Sequence, residues 1–188
     1  MDKFEAIDIL NTALNKIEND IQKTFYYLEE EHLLQKPSSD KWNIIEIFAH
    51  LSYTHAFYLG YLKKRLTSAE ENVSPQPIKR SWIGRMMENG LKPTKDNQIR
   101  FKSKTFKKID PLVKQKEGVK IQANVVFKDF NDDLTTLREI IELMKTRDIS
   151  NIKTATLLPY IKVNISDALF YLIAHLERHI LQAKALLK

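Results

Sequence analysis

The sequence predicts an all-α fold, a four-helix bundle in which a long irregular crossover joins the second and third helices. Three observations lead there. Four separate stretches repeat apolar residues at steps of three and four, the spacing that lines one face of a helix. Only four glycines and six prolines stand among the 188 residues, too few for the turns of a sandwich or barrel. Between residues 67 and 119 the periodicity fails. A chain of this length builds one well-packed core and is short for two, so 1–188 reads as a single domain with the crossover at 67–119 inside it.

The first helix carries Phe4, Ile7, Leu10, Leu14, Ile17, Ile21, Phe25 and Leu28 as one stripe and is expected to end near Glu31, before Pro37 and a polar cluster. The second opens at "WNIIEIFAHL". Asn43 is its N-cap and Glu46, three residues on, can reach back to the cap's backbone N–H, a capping box. Ile44, Ile47, Leu51, Tyr58 and Leu62 form its buried stripe, which runs to about Leu66. In the crossover Pro75, Pro77, Pro93 and Pro111 interrupt any pattern, apart from one short helix in "SWIGRMMENG" capped by Ser81 and closed by Gly90. The third helix places Val126, Phe130, Leu134, Leu137, Ile141 and Met144 in step and ends near Thr146. "RDISNIKTATLLPYIKV" then leads to the fourth, where Asn164 and Asp167 suggest a second capping box. Its stripe is Ile165, Leu169, Leu172, Leu176, Ile180, Ala183 and Leu187.

Composition narrows the functional classes. Apolar content of 43% with 29% charge is that of an ordinary globular chain. The N-terminal segment is acidic throughout and reads as neither signal peptide nor membrane span. There are no cysteines, which fits the cytoplasm and leaves only His, Asp and Glu to hold any metal. The net charge of +6 is concentrated: residues 79–120 hold thirteen Lys or Arg against four Asp or Glu, and the remainder is net acidic.

His175 and His179 stand one turn apart in "AHLERHILQA", about 40° from each other on one flank of the fourth stripe. Side chains from two helices can converge there on one ion, and an i, i+4 pair has the reach to ligate through both imidazoles. The plainer reading is a pair of partly buried polar residues. A third ligand would decide, and the second helix offers two, His50 and His55, on opposite edges of its stripe. Periodicity does not choose between them. His32, at the end of the first helix, reads as a solvated residue or a partner of the helix dipole.

"KWNIIEIFAHL" followed far downstream by "AHLERHILQA" resembles the paired signatures of the DinB-like (DinB/YfiT) superfamily, metal-binding helical bundles distinct from the polymerase that shares the label. In that family a Trp–Ser-x-x-Glu stretch opens the second helix and leads to His-Leu, and an HxxRHxxQ-like stretch lies in the fourth. The resemblance extends over nearly the whole chain, with Asn43 where Ser is commoner; both residues cap a helix. It implies that His50, His175 and His179 hold one divalent metal and that His55 is a core or interface histidine. Three neutral imidazoles leave coordination positions open, as catalytic zinc sites do, and nickel or iron also accept imidazole. Glu46, Arg178 and Gln182 are candidates around the site: Glu46 as a supporting carboxylate despite its capping role, Arg178 to steer an anion, Gln182 to hydrogen-bond a ligand. Trp42, Tyr53 and Tyr58 read as packing.

Some members of the family are thiol S-transferases or thiol-dependent isomerases. The resemblance therefore implies a metal-dependent transferase or hydrolase, in which the metal activates a small thiol for attack on an electrophile, and allows a homodimer. The alternative outside enzymology is a stress-associated binding protein whose metal staples the second and fourth helices. A nucleic-acid surface is the third reading, from "IRFKSKTFKKIDPLVKQK", where Arg100, Lys102, Lys104, Lys107 and Lys108 interleave with Phe101 and Phe106. No DNA-reading helix motif or zinc finger accompanies that segment. It is expected instead to be a crossover kept soluble by its lysines and pinned by its phenylalanines, or a patch favouring an anionic cosubstrate beside the metal.

Overall fold

A computed structural model describes residues 1–99, 101 and 104–187, and these are mostly helical. In chain order they form α1 (Lys3–Thr24), α2 (Glu30–Leu34), α3 (Ile44–Thr67), α4 (Trp82–Leu91), α5 (Pro111–Lys116), α6 (Ala123–Leu143), the strands β1 (Lys153–Ala155) and β2 (Lys162–Asn164), and α7 (Ile165–Lys184). The four long helices α1, α3, α6 and α7 carry the four stripes read from the sequence. α3 packs along α6 and α7, and α1 lies against the same two helices, so the apolar faces meet in one core. Phe48 is a hub of that core, edge-on to Phe25, Phe127 and Phe130 at centroid separations of 5.3, 5.0 and 4.9 Å. Edge-to-face aromatic contacts of this kind add to the gain from burial alone. Among the described residues no helix is long and apolar enough to cross a membrane.

The N-terminus of α3 is the capping box expected. Asn43 Oδ1 accepts from Glu46 N–H at 2.8 Å and Glu46 Oε2 accepts from Asn43 N–H at 2.9 Å. Other boundaries differ from the sequence reading. α1 stops at Thr24, with Phe25 as C-cap, rather than near Glu31. The stripe continued in sequence because Phe25, although in the turn, is still fully buried, and Leu28 is partly so. His32 falls in α2 and is exposed. Gly90 lies inside α4, whose C-cap is Lys92, and α6 ends at Leu143. Leu187 is exposed beyond α7 rather than part of its buried stripe.

The crossover is less irregular than its prolines suggest. Residues next to the N-terminus pair with it: Lys3 N–H donates to Gln76 O at 2.8 Å and Asp2 bridges Pro77. Pro111, read as an interruption, starts α5 at a position where a missing N–H costs nothing, with Asp110 as N-cap. The lead-in to α7 contains a hairpin that the sequence did not reveal, β1 antiparallel to β2 with Thr154 opposite Val163. Both of those residues are buried, which holds the hairpin against the helices.

Asn164 does cap α7 by position, but its side chain makes no capping hydrogen bond, so the second capping box is not formed. The reason is Asp167. Its fully buried carboxylate accepts from Arg80 Nε at 2.8 Å, from Ser81 N–H at 3.0 Å and from Ser81 Oγ–H at 2.7 Å. A charged group removed from water takes the stronger partners available. Asp167 is thereby spent on docking α4 against α7.

Candidate metal centre

His50 projects from α3, and His175 and His179 from α7, where those two helices pack. One ring nitrogen of each lies within 4.8 Å of those of the other two. The ring centroids form a compact triangle, 5.0 Å between His50 and His175, 4.6 Å between His50 and His179, and 4.5 Å between His175 and His179. All three rings are buried. His55, the competing candidate, points to the other edge of α3. It stacks on Phe130 of α6, its Nδ1 is 3.6 Å from Asp133, and it takes no part in the cluster.

The outer nitrogens fix the tautomers. His50 Nδ1–H donates to the carbonyl of Ile109 at 2.9 Å, because a carbonyl only accepts, and this leaves a lone pair on Nε2. His179 Nδ1–H donates to Gln182 Oε1 at 2.9 Å, which leaves its Nε2 bare as well. His50 Nε2 meets His175 Nε2 at 3.1 Å, so in the metal-free protein one proton is shared between two imidazoles. His175 Nδ1 is buried and has no hydrogen-bond partner among the described residues. Lone pairs thus outnumber the protons that could satisfy them. A divalent cation fits this donor set: it would engage one lone pair from each ring.

Electrostatics agree. Burial holds the His50 imidazole down to about 4 from an ordinary 6.5, against the opposing pull of the Ile109 bond. Burial likewise holds His175 well below the usual range, with His179 and His50 adding to it, and His179 follows for the same first reason. The rings are therefore neutral at neutral pH, as metal ligation requires.

The cluster opens onto a cavity of about 470 Å³. Trp42, tilted against His50 at 4.7 Å, and Tyr171, stacked on His175 at 5.8 Å, form two of its walls. Lys104, Phe106 and Ile109 of the crossover line it as well. Of the supporting candidates, Gln182 and Arg178 line the cavity. Glu46 does not; its carboxylate is turned to Asn43 N–H and to Lys36, 2.6 Å away. Phe101 and Phe106 are both substantially exposed, so they do not pin the crossover. Buried Ile109 does that, together with two backbone carbonyls, that of Ile109 accepting from His50 and that of Phe101 from Arg178. Arg100 and Lys102, part of the basic reading, lie outside the described residues.

Sequence reasoning missed the Ile109 carbonyl, which no side-chain pattern announces. Trp42, read as packing, is packed half-buried against the core and also lines the cavity.

A family model for the DinB superfamily matches residues 13–183, a span that contains all three histidines. The chain belongs to the DinB superfamily. No curated protein and no solved structure matches it. For a DinB-superfamily chain the cross-helix cluster of His50, His175 and His179 is the arrangement that its two sequence signatures imply, and these three side chains could hold a metal ion.

Proposed function

We propose that this DinB-superfamily protein is a divalent-metal-dependent enzyme that joins a small thiol to an electrophile. The observation that carries the reading is the convergence of three neutral imidazoles in the lining of a roomy cavity. His50, His175 and His179 would hold the ion, with zinc or nickel the best suited to imidazole. When bound, such an ion supplies Lewis acidity that lowers the pKa of a coordinated water or thiol. Residues 1–188 act on this reading as one domain, a four-helix bundle whose crossover closes over the site.

The chain's own groups explain why that acidity is needed. Asp40 is the one carboxylate among the described lining residues, and it is exposed and paired with Lys41. It is poorly placed to take a proton from a substrate at the imidazoles. Burial pushes the Tyr171 phenol up, so it stays neutral and offers a hydrogen bond rather than a base. Trp42 and Tyr171 exclude water and give an apolar substrate body a surface to lie on. The sulfur forms the new S–C bond, the leaving group departs with its electron pair, and the thiol proton passes to solvent.

The test is conjugation of cysteine or glutathione to monochlorobimane, with chloride as the leaving group, by zinc-loaded, nickel-loaded and stripped protein. Rate enhancement by loaded protein that disappears on stripping supports the reading. No enhancement with any small thiol removes it, and a large loss of folding stability on stripping would then favour a structural ion that staples α3 to α7.

A further inference from the structure

The geometry points to Arg178 as the seat of an oxyanion, a carboxylate or phosphate, carried by the molecule that occupies the cavity. This deepens the proposed function, since it rests on the cavity being the substrate site, but it does not rest on the metal.

Arg178 is 9% exposed. Among the described residues its one hydrogen bond is a donation from Nη2 to the carbonyl of Phe101. A guanidinium has five N–H donors and remains charged in a protein. No carboxylate lies within ion-pairing distance of it among the described residues. The other well-buried arginine makes the contrast: Arg80 is paired with both Asp167 and Glu88. A charge removed from water without a counter-ion is costly, and such groups are normally paired. The partner missing from Arg178 is an anion that arrives from outside.

The surroundings favour the same ligand. Lys104 also lines the cavity, and its amine has no ion pair among the described residues. Asp40, bonded to Ser38 and beside Lys41, is exposed and does not neutralise the interior. The imidazoles add no charge. Arg178 stands between His175 and His179 on α7, so a group bound to it lies within a helical turn of the reacting centre. Trp42, Phe106 and Tyr171 suit an aromatic or alkyl body attached to that anion. Planar, forked donors recognise carboxylate and phosphate through two parallel hydrogen bonds, which would fix the ligand's orientation as well as its charge.

The experiment uses full-length untagged protein dialysed free of metal, so that an anion cannot bind through the ion. Calorimetric titrations with benzoate, phenyl phosphate and neutral benzyl alcohol are run on wild type, Arg178→Gln and Lys104→Gln. At least one anion is expected to bind about tenfold or more tightly than the alcohol. Arg178→Gln should abolish that preference, and added salt should weaken it. The tighter of the two anions identifies the natural group as carboxylate or phosphate. Lys104 is exposed, so Lys104→Gln should keep the wild-type melting temperature while binding the anion about threefold more weakly; this variant decides the matter should Arg178→Gln not fold. Neither anion outbinding benzyl alcohol in wild type overturns the proposal, as does an undiminished anion preference in folded Arg178→Gln or, if that variant does not fold, in Lys104→Gln. Because metal uptake is measured separately, anion binding without metal uptake and metal uptake without anion binding are distinct results.

Discussion

The outer nitrogens of the three rings are held differently: His50 by a backbone carbonyl, His179 by Gln182, and His175 by no partner among the described residues. A ligand imidazole whose second nitrogen is tied keeps its tautomer and aim, and loss of such a partner typically costs ten- to a hundredfold in metal affinity. Gln182→Leu is therefore expected to weaken zinc binding by about that factor, in competition against a chromophoric chelator, with helical content unchanged. Equal affinity in the variant would show that the His179–Gln182 bond contributes nothing. At this scale the histidine pair was legible in the sequence because helical geometry alone brings residues four apart together. The choice of His50 over His55 was not legible from periodicity. Both lie at edges of the α3 stripe, and which edge faces α7 rather than α6 is decided by how the helices assemble. His55 meets Phe130 and Asp133 of α6 for that reason.

The docking of α4 on α7 depends on two residues, Asp167 and Gly84. A Cβ at Gly84 would lie 2.1 Å from Asp167 Cγ, while that carboxylate is already fixed by Arg80 and Ser81. Gly84→Ala should destabilise the protein by about 2 kcal/mol or more, through overpacking and disruption of the buried pair. Gly60, exposed in the interior of α3, has no atom within 4 Å of the same added group. Gly60→Ala should stabilise by about 0.5–1 kcal/mol through the lower backbone entropy of alanine. Urea denaturation of the two variants checks both signs, and a neutral Gly84→Ala would mean that α4 can shift without cost. The long helices were legible because their stripes span many turns. The hairpin was not: strands of three residues are too short to show alternation, and burial of Thr154 and Val163 is decided by the helices beneath them. The expected capping box at α7 failed because Asp167 had a better use at long range than at its own helix terminus.

Across the whole molecule, the buried neutral imidazoles make the metal-free protein acid-sensitive. The folded His50 titrates near 4 and the unfolded residue near 6.5, so between those values the unfolded chain binds more protons. The His175 and His179 shifts have the same sign. The contribution is fully present above pH 6.5 and is lost as pH falls through the folded value. The urea midpoint of stripped protein should therefore fall steadily between pH 7 and 4.5; a flat midpoint would contradict neutral burial of the cluster. Metal-loaded protein should resist this fall until protons displace the ion, since binding to the folded state alone adds stability by mass action.

The decisive measurement is metal content, by mass spectrometry on protein purified without a polyhistidine tag, alongside His50→Ala and His175→Ala. Close to one divalent ion per chain is expected in wild type, with its loss in both variants, because the site takes ligands from α3 and α7 alike. Wild-type protein that carries no metal and takes up neither zinc nor nickel would contradict it, and the three imidazoles would then be a buried hydrogen-bonded cluster and no more.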